Sequence, residues 1–263
     1  MTAPTPPGPR KIQRYGWVPD LPDARDHLYA APPQYLSKLP TQVDLRDRCP
    51  KEVYDQGQLG SCTANAIGAA FEFNLLRQGQ GDFMPARLFI YYNERVMEGT
   101  VDSDSGAMIR DGIKTVSKQG VCPESSWPYD TAKFAEQPSA ECYTEALQHR
   151  VASYQRVSRV LNQMKGCLAH GFPFVCGFSV YESFESDDVA RTGVVPMPDV
   201  ATEQLLGGHA VLAVGYDDAD QRFLVRNSWG DGWGMGGYFT MPYSYLTERS
   251  LASDFWAILQ VAA

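Results

Sequence analysis

No run of 18 or so apolar residues occurs in the 263-residue chain, so nothing in it reads as a bilayer-spanning helix. Positive charge is scarce as well. Lys and Arg number 23 against 31 Asp and Glu, a formal net charge of -8, and the pI is near 5.0. Without a local basic patch to override that total, phosphates are repelled, which excludes nucleic acid or an anionic membrane as the main partner. Metal ligands are missing too: there is no C-x-x-C pair, and the four histidines are not spaced like zinc ligands, so neither a metal nor a cofactor is expected. Six cysteines (Cys49, Cys62, Cys122, Cys142, Cys167 and Cys176) are too dispersed for a disulfide framework in a chain of this length, and free thiols are expected. The glycine-rich GDGWGMGG lacks the G-K-[ST] of a phosphate loop, and DDAD at 217–220 lacks the glycine and glutamate of a calcium loop; both read as turns between strands. The opening MTAPTPPGPRKIQRYGW has no apolar core of a secretory signal, so the cytoplasm is the default compartment, with unconventional secretion left open. There is no internal repeat, and a monomer is expected.

What the chain does have is uneven. Eight of its 18 prolines fall within the first 38 residues, a density that leaves no room for a helix of any length. This segment reads as an extended leader, disordered up to Pro9, whose RYGWVPDLPDARDHLY stretch carries aromatics suited to docking. From Leu39 to the C-terminus the composition is that of a folded domain, 39–263. Ala66, Ala69, Ala70 and Phe73 repeat at helical spacing and predict a helix from about Ser61. ARLFIYYNERVME and AMIRDGIKTVSKQG predict two more, the second closed by Gly120. PFVCGFSV, HAVLAVGY, RFLVRNSW and GGYFTM predict strands. Helices first and antiparallel strands afterwards make an α+β pattern, often realised as two lobes around a cleft.

The chemistry concentrates in DQGQLGSCTANAIGAAFEF. Cys62 falls at the first turn of its predicted helix, where unpaired N–H groups and the helix dipole favour a thiolate over the free thiol pKa of roughly 8.5. A thiolate nucleophile needs a proton carrier. His209, in GGHAVLAVGY, starts a strand behind Gly207 and Gly208, which keep the backbone slim beside a ligand. Asn227, at the end of the next strand, can orient its imidazole. Gln56 can donate, with the Cys62 backbone N–H, to an oxygen that becomes negative during acyl transfer. His27, His149 and His170 read as loop or surface residues.

Three blocks, QGQLGSC at 56–62, GGHAVLAVGY at 207–216 and NSWGDGWG at 227–234, resemble in order and spacing the active-site blocks of papain and cathepsin cysteine peptidases. LPTQVDLRD resembles the mature start of that family and ESSWPY at 124–129 a further segment. The likeness covers more than four-fifths of the chain and is nearest to a bacterial branch with a short leader. It implies a papain-like fold: a helical left lobe facing an antiparallel, β-barrel-like right lobe across the active-site cleft. It also implies a cysteine endopeptidase acting on peptide or protein substrates through a thioester, with Cys62 as nucleophile, His209 as acid and base, Asn227 as orienter, Gln56 as oxyanion donor and Trp229 shielding the Asn227–His209 bond. Ser105, Gly106 and Ala107 would form the wall that pairs with substrate backbone. Met108, Ile109, Gly177, Gly207, Gly208 and Ala210 would line or flank an apolar pocket for the second residue upstream of the cut. A catalytically silent peptide binder and a thiol acyltransferase are the alternatives on the same fold.

Four departures from the family pattern stand out. Leu59 and Asp104 occupy positions where a disulfide pair is usual, Thr63 follows the nucleophile where an aromatic is usual, and the leader is shorter than a helical propeptide. The leader is nonetheless long enough to lie across the cleft and limit access to it.

Overall fold

The alanine-rich segment becomes a helix buried on nearly every face, every residue from Cys62 to Leu75 lying inside. A helix enclosed in this way needs small side chains, which the run of alanines supplies. The computed structural model describes residues 15–262, so the expected disordered tail up to Pro9 lies outside the described residues.

In chain order the elements are β1 (Leu28–Tyr29), α1 (Pro33–Leu36), β2 (Gln42–Asp44), α2 (Cys62–Arg77), α3 (Arg87–Glu98), α4 (Ile109–Gln119), α5 (Ala140–Ala146), β3 (Arg150–Val157), α6 (Leu161–Ala169), β4 (Phe174–Tyr181), α7 (Asp187–Thr192), β5 (Leu205–Asp217), β6 (Arg222–Arg226), β7 (Tyr238–Pro242), α8 (Tyr243–Thr247) and β8 (Ala252–Ala262). The three predicted long helices and four predicted strands are all present. Gly99 and Gly120 end α3 and α4 with φ of 71° and 79°, in the region where a side chain would be strained.

The strands form one sheet in the order β1-β3-β8-β4-β5-β6-β7, with β2 paired to β5. Neighbours run antiparallel except β1 and β3. β4 sits between β8 and β5, and only its last turns of chain, Ser179 and Tyr181, reach partial exposure. Helices α2, α3 and α4 pack together, and α2 lies against β5 and β8. Helical and sheet lobes thus face each other, as the α+β two-lobe expectation required, and the N-terminus of α2 and the middle of β5 meet where they join. Strands β3 and β8, absent from the sequence reading, complete the sheet. β3, RVASYQRV, mixes polar and apolar residues without a strict alternation, and β8 carries Asp254 inside an apolar run, which breaks the pattern that would mark it.

The leader does contain one turn of helix, contrary to the expectation of none. Pro33 occupies the first position of α1, where its missing N–H costs nothing. Elsewhere it is pinned to the body. β1 adds to the edge of β3, Ala31 N–H donates to Gln163 Oε1 at 2.9 Å, and Tyr29 Oη bonds His170 Nδ1 at 2.8 Å. Gly166 leaves room for Ala31 and Leu36, since a Cβ there would stand 2.6 Å from the Ala31 methyl.

Candidate active site

Cys62 is the first residue of α2, after the Ser61 N-cap. His209 sits on β5 opposite Phe178 of β4, and Asn227 directly follows β6. These elements bring His209 and Asn227 together: His209 Nε2 donates to Asn227 Oδ1 at 2.9 Å, an oxygen that also accepts the Ser228 N–H at 2.9 Å. Trp229 lies against the imidazole, ring centroids 5.1 Å apart and planes inclined by 30°, and is itself walled by Phe184 and Trp233. With both partners buried, water is kept from the bond. Gln56 is wholly buried. Its Oε1 accepts from Ser228 Oγ at 2.6 Å and its Nε2 donates to Leu59 O at 2.9 Å, which fixes the amide and leaves one of its two N–H donors for another acceptor.

In this conformation burial opposes the expected thiolate. Cys62 is 0 % exposed, and burial pushes its thiol up to about 12, although the N–H groups of Ala210 and Gly16 point at the sulfur and act in the other direction. The cover is the leader. Tyr15 sets its ring edge-on to His209 at 5.9 Å and donates its hydroxyl to Glu185. Trp17 N–H donates to Gly208 O at 2.8 Å, Gly16 O accepts from Ala107 N–H at 2.8 Å, and Val18 N–H donates to Ala107 O at 3.0 Å. The stabilising effect of the helix terminus is thus outweighed by removal from water.

The substrate-binding candidates divide. Gly106, Ala107, Gly177, Gly207 and Gly208 all touch the leader. A Cβ on Gly106 would fall 2.2 Å from Gly16 O, one on Gly177 2.0 Å from the Trp17 ring, one on Gly207 2.8 Å from Tyr15 and one on Gly208 2.6 Å from Trp17. Ala210 sends its N–H to the Cys62 sulfur. Ser105 turns its hydroxyl to Gly106 O at 3.2 Å. Met108 donates its N–H to Glu98 Oε1 at 2.7 Å, and Ile109 is wholly buried in the core at the start of α4.

The departures are resolved by local chemistry. Asp104 accepts the Gly60 N–H at 3.0 and 3.1 Å and also the Tyr91 hydroxyl. It ties the loop before the nucleophile to α3 in place of a disulfide. Thr63 donates its hydroxyl to Glu94 Oε1 at 2.6 Å; Glu94 is buried, and burial raises its pKa well above the usual carboxylate range. All six cysteines are free thiols and buried.

Asp254 escaped the sequence reading. It stands at a β-bulge in β8, where the pairing shifts between Val175–Trp256 and Gly177–Ser253. It accepts Trp17 Nε1 at 3.1 Å, Asp20 N at 2.8 Å and Arg156 Nη2 at 3.1 Å. The only signal in the sequence was a charge inside an apolar strand. Among the described residues no group of three His, Cys, Asp or Glu side chains could hold a metal ion, and no helix is long and apolar enough to cross a membrane.

This fold and this cleft are those of a thiol-dependent hydrolase. Residues 39–255 match the papain family of cysteine proteases, and the chain belongs to that family. It is 42% identical over 273 residues to an uncharacterized peptidase C1-like protein of Acanthamoeba polyphaga mimivirus, covering 95% of this chain and 88% of the viral one. The crystal structure of xylellain, a cysteine protease from Xylella fastidiosa, superimposes with a TM-score of 0.88 at 46% identity, covering 95% of this chain and 97% of that one. A digestive procathepsin L 3 of Tenebrio molitor larval midgut shares the fold at 20% identity, TM-score 0.69, over 89% of this chain and 74% of that one.

Proposed function

We propose that the chain is a cysteine endopeptidase in which Cys62, His209, Asn227 and Gln56 form the reacting centre and residues 15–20 of the 1–38 leader close it. With the leader lifted, the thiol returns to water at a helix N-terminus, and His209 Nδ1 takes its proton. The Cys62 thiolate adds to a peptide carbonyl carbon, and the oxygen takes the negative charge facing the Gln56 amide and the Cys62 N–H. Collapse breaks the C–N bond as His209 gives its proton to the leaving amine, leaving a thioester. Water, deprotonated by His209, then adds to the thioester and expels the thiolate. Asn227 holds the imidazole ring throughout.

The observation that carries this reading is the hydrogen bond from His209 to Asn227, sealed under Trp229 at the floor of a cleft already occupied by extended peptide. Relatives crystallised as pro-forms support a blocking role for such a segment. The pocket for the second residue upstream of the cut has apolar walls and favours apolar side chains. Labelling by an epoxysuccinyl thiol-protease inhibitor tests the centre: wild type is labelled at Cys62 and cleaves peptide, and Cys62→Ala does neither. Cleavage persisting in Cys62→Ala would overturn the assignment.

A further inference from the structure

Two of the six buried thiols share a contact that the proposed chemistry does not use. The chain leaving α4 runs along α5: a Cβ on Gly120 would stand 1.7 Å from Ala146 O, Val121 N–H donates to His149 O at 2.9 Å, and Ser126 O meets the Cys142 sulfur at 3.5 Å. Cys122 lies between these points, and its thiol is hydrogen-bonded to that of Cys142. Cys142 stands in the first turn of α5, where Ser139 Oγ also reaches its sulfur at 3.5 Å. Cys49 and Cys167 instead donate to the Leu45 and Phe172 carbonyls, at 3.4 and 3.5 Å. Sulfurs already in contact need only a small side-chain movement to reach the bonded separation of about 2.05 Å. Between Cys122 and the start of α5 the chain forms only one short turn of helix, Thr131–Lys133. Yet this irregular segment carries Tyr129, whose hydroxyl donates to Gln56 O at 3.0 Å and bonds Ser61 Oγ, so it buttresses the backbone on both sides of the loop that leads to the nucleophile.

We propose that Cys122 and Cys142 are a redox modification site: while the chain folds they close into a disulfide by exchange with a small disulfide of the glutathione class, stapling the segment that supports Gln56. One cysteine thiolate attacks a sulfur of the small disulfide and expels a thiolate. The other then attacks the protein sulfur of the mixed disulfide and expels the second. One S–S bond breaks and another forms, two electrons pass from the protein sulfurs to the small disulfide, and the two protons go to the thiols released. After packing, exchange is slow, because both residues are buried and burial holds the Cys122 thiol above its ordinary range, which disfavours the attacking thiolate. The medium in which the chain folds therefore sets the state of the pair, and the bridge once made resists small reductants.

The test refolds the full chain from denaturant either in a buffer of reduced and oxidised glutathione or in dithiothreitol. Each sample is alkylated, digested and mapped by mass spectrometry without reduction. The glutathione sample should yield one linked peptide pair joining Cys122 to Cys142, absent from the dithiothreitol sample and from Cys122→Ser and Cys142→Ser. The bridged chain should melt roughly 5–10 °C above the reduced one, as expected for a closed loop of about 20 residues. Recovery of both cysteines alkylated after glutathione refolding, a bridge from either to a different cysteine, or a bridged chain no more stable than the reduced one overturns the inference. If the chain does not refold, the same map of chain exported to a bacterial periplasm and trapped with N-ethylmaleimide decides. None of these readouts uses peptide cleavage, so failure here is distinguishable from failure of the peptidase reading.

Discussion

Trp17→Ala in the otherwise intact chain should convert a closed enzyme into an open one. Trp17 is 8 % exposed, and removing a buried tryptophan side chain costs about 3–5 kcal/mol; the bond from its indole to a carboxylate contributes about 1.5–3 of this. Only the leader-docked conformation makes these contacts, so the loss falls on docking. At about 1.4 kcal/mol per factor of ten, a loss of about 3 kcal/mol raises the open population roughly a hundredfold or more. Trp17→Phe keeps most of the apolar area and loses the donor, so it should open the cleft about tenfold or more. Gly177→Ala approaches from the opposite side: its Cβ would stand 2.0 Å from the Trp17 ring, and it should displace the leader with no change in the leader itself. The assay is the second-order rate constant for epoxysuccinyl labelling of Cys62 near pH 7, with Tm followed in parallel to exclude general unfolding. The reasoning is refuted if Trp17→Ala labels within about twofold of wild type while remaining folded.

Three further outcomes follow from the same contacts. Burial, and then the neighbouring Asp254 carboxylate, raise Asp20 to about 6 when the leader is docked, against an ordinary 3.8. A carboxyl whose pKa rises on docking takes up a proton there, so this contribution favours docking in full below about pH 4 and is lost as pH rises through about 6. Labelling of wild type relative to Asp20→Asn should therefore slow between pH 7 and 4.5; faster relative labelling in acid would contradict the sign. Asn227→Ala, assayed in the Trp17→Ala chain, should lower kcat roughly ten- to a hundredfold with little change in KM, because it frees the imidazole without touching substrate. Asp104→Ala removes the acceptor shared by Gly60 and Tyr91 and should cost about 1–3 kcal/mol, read as a fall of roughly 2–4 °C in Tm per kcal/mol.

The blocks around Cys62, His209 and Asn227 were legible because their chemistry is local. A helix N-terminus, a glycine-flanked strand start and a strand end each leave a mark within about ten residues, and the long helices and the most apolar strands did so too. What remained hidden depends on contacts between distant segments. Asp104 gave no sign that it bridges to Gly60, 44 positions away. Nor did Asp254 reveal its bond to Trp17, 237 positions away. The burial of Cys62 was hidden for the same reason. The dipole of α2 is visible in the sequence, whereas the burial that opposes its effect is imposed by a leader that docks on residues 106–107, 177 and 207–208.

Those docking residues are also the ones assigned to substrate, and this has an energetic consequence. On the proposed reading, leader and substrate compete for Ala107, Gly208 and the space that Trp17 fills, and the leader acts as a tethered competitor present at an effective concentration set by its short connection to the body. If the open form is a fraction f of the molecules, the apparent substrate affinity falls by that fraction, and at f of about 0.01 a substrate must bind about a hundredfold more tightly to reach the same occupancy. β1 on β3 and α1 on α6 keep the rest of the leader attached while residues 15–20 move. On that reading the inhibition is reversible without cutting the chain, because releasing residues 15–20 breaks only hydrogen bonds and apolar contacts.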